Sequence, residues 1–273
     1  MKRLVLFILI CLLFVGAQAQ TYKELSGKAL KYVEQDSLVQ AEKLFKEALK
    51  MEPANAHNAL LFSNLGTVQR RMRHNDDAIE SYSLALNLAP KTVAILLNRA
   101  SLYLEQGNTD KAYVDYCDVL DLKKDESDAL LYRAYIYVIR HDYKSAEIDY
   151  IRFLELQPQS MTGRMGLATV YQKEKKHRES LDLFNKLVAE FPKEAALYTA
   201  RADLARDMLH PDLALIDLEE ALNLDSSSVD AYLLRGEIYL DLKKKDLAKS
   251  DFEKAISLGV SRSELYEQLK LCK

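Results

Sequence analysis

VAILLNRASLYLEQGNTDKAYVDYCDVLDLKKDE, residues 93–126, is followed directly by SDALLYRAYIYVIRHDYKSAEIDYIRFLELQPQS, residues 127–160. Laid one above the other, they pair Ala100 with Ala134, Tyr103 with Tyr137, Ala112 with Ala146 and Tyr116 with Tyr150, each 34 residues apart. A fixed period of this length marks a chain of stacked structural repeats. The pattern extends in both directions. Ala41, Ala78, Ala112, Ala146, Ser180, Ala214 and Ala248 each stand four residues before Phe45, Tyr82, Tyr116, Tyr150, Phe184, Leu218 or Phe252. The steps are 34 residues from Ala78 onward, and the first step is 37. Twelve residues ahead of this series lie Ala29, Gly66, Ala100, Ala134, Ala168, Ala202 and Gly236. Three residues further on come Tyr32, Tyr103, Tyr137, Tyr171 and Tyr239, with Gln69 and Ala205 as exceptions.

Two small residues twelve apart predict a hairpin of antiparallel helices that approach closely at those points, with the aromatics filling the space around them. Pro53, Pro90, Pro158 and Pro192 fall after the second helix of their hairpins, where proline does least harm. One hairpin cannot bury its own apolar face, so hairpins must stack. This small–aromatic–small–proline pattern resembles the tetratricopeptide-repeat (TPR) family. The resemblance covers Tyr22 to Gly259 and implies an all-α, right-handed α-solenoid. Tryptophan is absent, and Lys124, Ser226 and Val260 stand where proline would. Seven hairpins are expected near 22–55, 59–92, 93–126, 127–160, 161–194, 195–228 and 229–260, within a solenoid over 20–260. Asn55-Ala56-His57-Asn58 lengthens the first junction. At the C-terminus, Ser261 and Glu264 predict a capping box. Leu265, Leu269 and Cys272 predict one amphipathic helix, 261–273, that covers the end of the stack.

Composition agrees. Eight glycines and five prolines in 273 residues are too few for the turns of a strand-rich fold. A net charge of −3 gives no global basic field for nucleic acid or anionic lipid. At the N-terminus, Lys2 and Arg3 precede an apolar run, Leu4 to Gly16, and Ala17-Gln18-Ala19 forms a small-x-small site. Residues 1–19 therefore read as a signal peptide cleaved after Ala19. The run is shorter than the roughly 20 residues that span a bilayer, which weighs against a retained anchor. Ile10 before Cys11 weighs against a lipoprotein. Export to the periplasm or the extracellular space is expected, with no membrane span after cleavage. Cys117 and Cys272 are far apart and have no metal-ligand spacing.

Charges recur with the repeat. Arg99, Arg133, Arg201 and Arg235 precede the small residue of the first helix. The same four repeats carry Asp115, Asp149, Asp217 and Asp251 just before the aromatic or leucine of the second. The other three repeats hold Lys28, Leu65 or Leu167 at the first position and Leu44, Ser81 or Leu183 at the second. This co-occurrence predicts a structural ion pair across each of the four hairpins.

No catalytic motif is present. His57, His74, His141, His177 and His210 never adopt metal spacing, and no phosphate loop or nucleophile motif occurs. The expectation is a non-enzyme without cofactor or metal. The resemblance implies that first helices line a concave groove that holds a peptide. Asn64 and Asn98 stand two residues before the small residue and match the family's ligand-holding asparagines. A side-chain amide both donates and accepts, so it reads a peptide backbone; an ordinary polar surface is the plain alternative. Leu97, Leu131, Tyr132, Tyr135 and Met165 occupy neighbouring groove-side positions. Asp203, Asp207, Asp230, Glu237 and Asp241 predict an acidic C-terminal end, and Arg70 and Arg71 a basic end in repeat two. The leading reading is a bacterial-envelope adaptor that grips an extended protein segment. The alternative is a glycan binder or an accessory subunit of an envelope enzyme. N-terminal sequencing of the native protein should return Gln20 as the first residue; an intact Met1 would remove the export reading.

Overall fold

The computed structural model describes residues 21–273, so the signal-peptide reading of 1–19 lies outside the described residues. Among the described residues every regular element is a helix. They are α1 (21–34), α2 (Leu38–Met51), α3 (Asn58–Arg71), α4 (Asn75–Leu88), α5 (Val93–Glu105), α6 (Thr109–Leu122), α7 (Ser127–Ile139) and α8 (Tyr143–Leu156). They continue with α9 (Met161–Lys173), α10 (His177–Glu190), α11 (Ala195–Asp207), α12 (Pro211–Leu224), α13 (Val229–Asp241), α14 (Lys245–Ser257) and α15 (Tyr266–Leu271). The chain forms two compact units, one through Arg133 and one from Ala134. In the first, α2 packs on α3, α3 on α4, α4 on α5 and α5 on α6; in the second the same order runs from α8 to α15. Each unit is a stack of helical hairpins, the architecture of an α-solenoid.

The small-residue lattice is the core. All fourteen of its positions are buried, and each alanine among them, with Ser180, is 0% exposed. A Cβ on Gly66 would lie 2.9 Å from the Tyr82 ring, and one on Gly236 2.7 Å from Phe252. The helices are therefore close enough at these points that a methyl group would collide. Ser180 takes an alanine position because its hydroxyl donates to the Ala168 carbonyl across the hairpin at 2.8 Å. Gln69, at a tyrosine position, is 2% exposed, accepts from Ser81 at 2.6 Å and donates to Glu42 at 3.1 Å. Tyr32 departs from the expected packing and is exposed.

All seven hairpin turns share one geometry. Asp36, Arg73, Gly107, His141, Lys175, Leu209 and Lys243 have φ between 57° and 75°. The next N–H in each turn returns to a carbonyl five residues back, as in Ser37 to Tyr32 at 2.8 Å and His210 to Ala205 at 2.9 Å. This is the Schellman closure, which satisfies carbonyls left over at a helix end. Six of the seven residues have a side chain in a region that suits glycine.

Arg99 grips Asp115 with Nε and Nη2 at 2.8 and 2.7 Å. Arg201 grips Asp217 at 2.8 and 2.7 Å, and Arg235 grips Asp251 at 2.9 and 2.8 Å. The three aspartates are buried. Their hydrogen bonds, set against the cost of burial, hold each guanidinium pKa above its ordinary value. The third nitrogen reaches the preceding hairpin: Arg99 Nη1 donates to Ser83 at 3.0 Å, and Arg201 Nη1 to Asn185 at 2.9 Å. Arg133 sets Nη1 3.7 Å from Cys117 Sγ, and Asp149 is buried.

The longer first junction is stitched by Asn58, which donates to the Glu52 and Pro53 carbonyls and accepts from the Tyr22 hydroxyl. The expectation for the C-terminus needs correction. The C-terminal segment is not one helix over 261–273. Ser261 Oγ bonds within its own turn to Ser263, no side chain caps α15, and the helix has only six residues. Its Leu265 and Cys272 still pack against Ala248, Phe252 and Ala255.

Asp217→Ala leaves a part-buried guanidinium without its carboxylate and should cost about 3 kcal/mol, whereas Arg201→Met with Asp217→Leu, which removes both charges, should cost well below that. Denaturant titration of the two variants measures this. Leu209 is 85% exposed at φ 62°. Leu209→Gly should therefore raise stability by roughly 0.5–1 kcal/mol, the relief at φ exceeding the added freedom of the unfolded chain. Leu209→Ala should leave the same melt unchanged.

Candidate functional site

First helices of successive hairpins lie side by side: α3 meets α5, α9 meets α11, and α11 meets α13. Each unit therefore presents a wall of first helices, and the candidate residues are described unit by unit.

In the first unit, Asn64 on α3 and Asn98 on α5 are half-buried. Among the described residues neither side-chain amide makes a hydrogen bond within the protein; at Asn98 only the carbonyl is used, by Ser101 Oγ at 3.1 Å. Leu97 and Leu131 are half-buried, and Tyr132 is exposed. Tyr132 lies flat against Tyr116, ring centroids 5.8 Å apart at 19°.

Beneath this wall the tyrosines of the second helices push their hydroxyls up through the hairpin. Tyr82 meets Thr67 Oγ1 at 3.2 Å. One repeat later Tyr116 should meet Ser101, but Ser101 takes Arg70 Nη1 at 2.9 Å and donates to Asn98. The Tyr116 hydroxyl is buried with no hydrogen-bond partner. Burial raises its pKa above the ordinary value, as do the nearby Tyr132, Asp128 and Glu105, against the lowering influence of Arg70. These four groups all belong to first helices, so the hydroxyl points toward the wall. The chain pattern gave no sign of this orphan, because Ser101 looks like an adequate partner until Arg70 claims it.

Arg70 and Arg71 do not make a free basic end. Arg70 is paired with Glu105, and Arg71 with Asp36 at 2.6 Å. Glu42, His74 and Asp77 bring ligand-capable atoms within 4.8 Å of one another, a grouping not visible in linear spacing. Glu42 is already held by Lys46 at 2.7 Å and Gln69 at 3.1 Å, so its carboxylate serves the fold.

In the second unit, Tyr135 is 48% exposed. Beside it Tyr150 is buried, its pKa pushed up to about 12 by burial first and Tyr135 second. The asparagine position is Gly166 here, and a Cβ on it would sit 2.4 Å from Tyr150 Cζ. Met165 lines a groove of about 450 Å³ with Thr169, Ala195, Ala196, Thr199, Ala200 and Leu234. Asp203, Asp225, Ser228 and Asp230 complete it. Asp203 is tied to Arg206 at 2.7 Å, Gln172 at 2.9 Å and Lys173 at 3.8 Å. Glu237 is tied to Arg206 at 2.5 Å, and Asp207 accepts from Gln172 at 2.9 Å.

Comparison with known proteins agrees with this geometry. Tetratricopeptide-repeat family models match residues 63–129, 164–194 and 229–258. A crystal structure of a tetratricopeptide repeat protein from Parabacteroides merdae is similar over 93% of this chain and 99% of its own. The two share 38% identity, with a TM-score of 0.79. The chain belongs to the tetratricopeptide-repeat family, whose fold is a scaffold for protein–protein interaction. Human DnaJ homolog subfamily C member 7 is 37% identical over 73 residues, 26% of this chain and only 15% of that protein. YrrB, a TPR protein with an unusual peptide-binding site, is 16% identical with a TM-score of 0.57 over 68% of this chain and 95% of its own. That likeness concerns the fold alone. No helix among the described residues is long and apolar enough to cross a membrane.

Proposed function

We propose that this protein is a non-enzymatic adaptor of the bacterial envelope that holds an extended segment of a partner protein along its first-helix walls. In the first unit the segment would lie over Asn64, Asn98, Leu97, Leu131 and Tyr132. The observation that carries the reading is the pair of half-buried asparagine amides on one wall, neither of them used within the protein. The amides of Asn64 and Asn98, one repeat apart, would each give and take a hydrogen bond with the partner's main chain. Leu97, Leu131 and the exposed edge of Tyr132 would receive apolar side chains. On the second unit, Tyr135 and Met165 would be contact residues of that unit's own wall. No cofactor or metal enters this reading, and the apolar N-terminal run supports export.

The test is calorimetry with a partner segment recovered from the native envelope. Asn98→Ala should weaken binding by about 1 kcal/mol. Tyr132→Ala and Tyr135→Ala should each cost about 2 kcal/mol, as truncated aromatic anchors do. Thermal melts of each variant separate lost contacts from lost fold. Unchanged affinity in all three would remove the first-helix walls of both units as the binding surface.

A further inference from the structure

The second unit's groove has a composition that selects its occupant. Its floor is small and apolar: Ala195, Ala196 and Ala200 leave room, and Met165 and Leu234 line it. Its rim is acidic, and the acids differ in how far they are spent. Asp203 has Arg206 and Lys173 against it, and Arg206 is shared further with Glu237. Asp225 accepts hydrogen bonds only from Ser227, backbone at 2.9 Å and hydroxyl at 2.6 Å. Among the described residues, Asp230 has no hydrogen-bonding or cationic partner, and Asp225 has no cationic one. Both carboxylates thus face the groove with uncompensated charge.

We propose that this groove is a docking site for a lysine- or arginine-bearing extended segment of another protein. A long basic side chain has an apolar stem and a charged head. The stem matches the alanine and methionine floor, and the head reaches the rim at Asp225 and Asp230. An acidic segment is repelled by the same rim, and a purely apolar one leaves both carboxylates under a low-dielectric cover. A volume of about 450 Å³ is in the range of sites that enclose a ligand group, roughly 300–1,000 Å³. The assignment rests on the scaffold reading but uses residues of the second unit alone.

The probe is a fluorescein-labelled ten-residue peptide of alternating lysine and alanine, with its glutamate counterpart, titrated against the full chain by fluorescence anisotropy. The lysine peptide should bind, and the complex should weaken about tenfold from about 50 to 300 mM salt. Asp225→Asn with Asp230→Asn should weaken it on the order of fivefold or more. Ala196→Trp, which fills the groove and leaves the rim charge intact, should do the same while keeping its thermal melt. Glu219→Gln with Glu220→Gln removes equal charge from the exposed face of α12 and should change nothing. Equal binding of the glutamate peptide, or equal loss in the Glu219/Glu220 variant, would overturn the site in favour of diffuse attraction. Unaltered binding in both groove variants would also overturn it. A dimer in sedimentation that disappears in the Asp225/Asp230 variant would replace the foreign segment with a second copy of this chain. None of these outcomes touches the Asn98 and Tyr132 measurements, so this assignment and the general reading fail separately.

Discussion

Everything in the molecule follows from how closely the two helices of each hairpin approach. Where Gly66 crosses the Tyr82 ring and Gly236 crosses Phe252, no methyl group fits. At the other crossings an alanine, or a serine with its hydroxyl spent on the facing carbonyl, is the largest group present. Close approach at one point fixes the crossing of both helices, and the ring four residues later fills the wedge that opens beside it. A larger residue at any of these positions would push the second helix away and lift the next hairpin with it. Within each unit the wall of first helices is aligned because its hairpins are built on the same contact.

Polar groups then finish what that contact begins. The Schellman closures hold seven turns in a left-handed conformation that six of their residues adopt at a cost. They persist because the returning N–H satisfies a carbonyl that would otherwise be left over. The arginine forks add a second constraint. Asp115, Asp217 and Asp251 are too buried to be tolerated alone, and the bidentate guanidinium supplies the compensating charge.

The helical hairpins were legible in the sequence because small residues and aromatics are the contact itself, and their identity is their geometry. The turn conformation was not. It recurs at seven equivalent positions, yet only Gly107 carries the residue that advertises it, since a hydrogen bond and not a missing Cβ secures the others. The terminal helix was overread. Ser261 and Glu264 have capping spacing, but the serine is taken by Ser263 two residues away. On the candidate site, residue type located Asn64 and Asn98 but said nothing of competition. Arg70 and Arg71 looked like a basic surface until Glu105 and Asp36 neutralised them. That same Arg70, by occupying Ser101, strands the Tyr116 hydroxyl. Which of several adequate partners a group selects depends on rotamers, and linear spacing does not carry that.

The third nitrogen of each arginine fork bears on whether the modules are interchangeable. Arg99 ends on a serine of the preceding hairpin, Arg201 on an asparagine amide oxygen, and Arg133 beside a cysteine sulfur. The acceptor belongs to the neighbour and differs at these three junctions. A transposed hairpin would keep its internal pair but meet a foreign group at its back. If the sixth hairpin followed the first, Arg201 would meet Lys46, the residue after Phe45, a like charge where an amide oxygen had been. Modules that look like copies are therefore keyed to their order, and a shuffled array would lose stability at its seams while each block stayed intact.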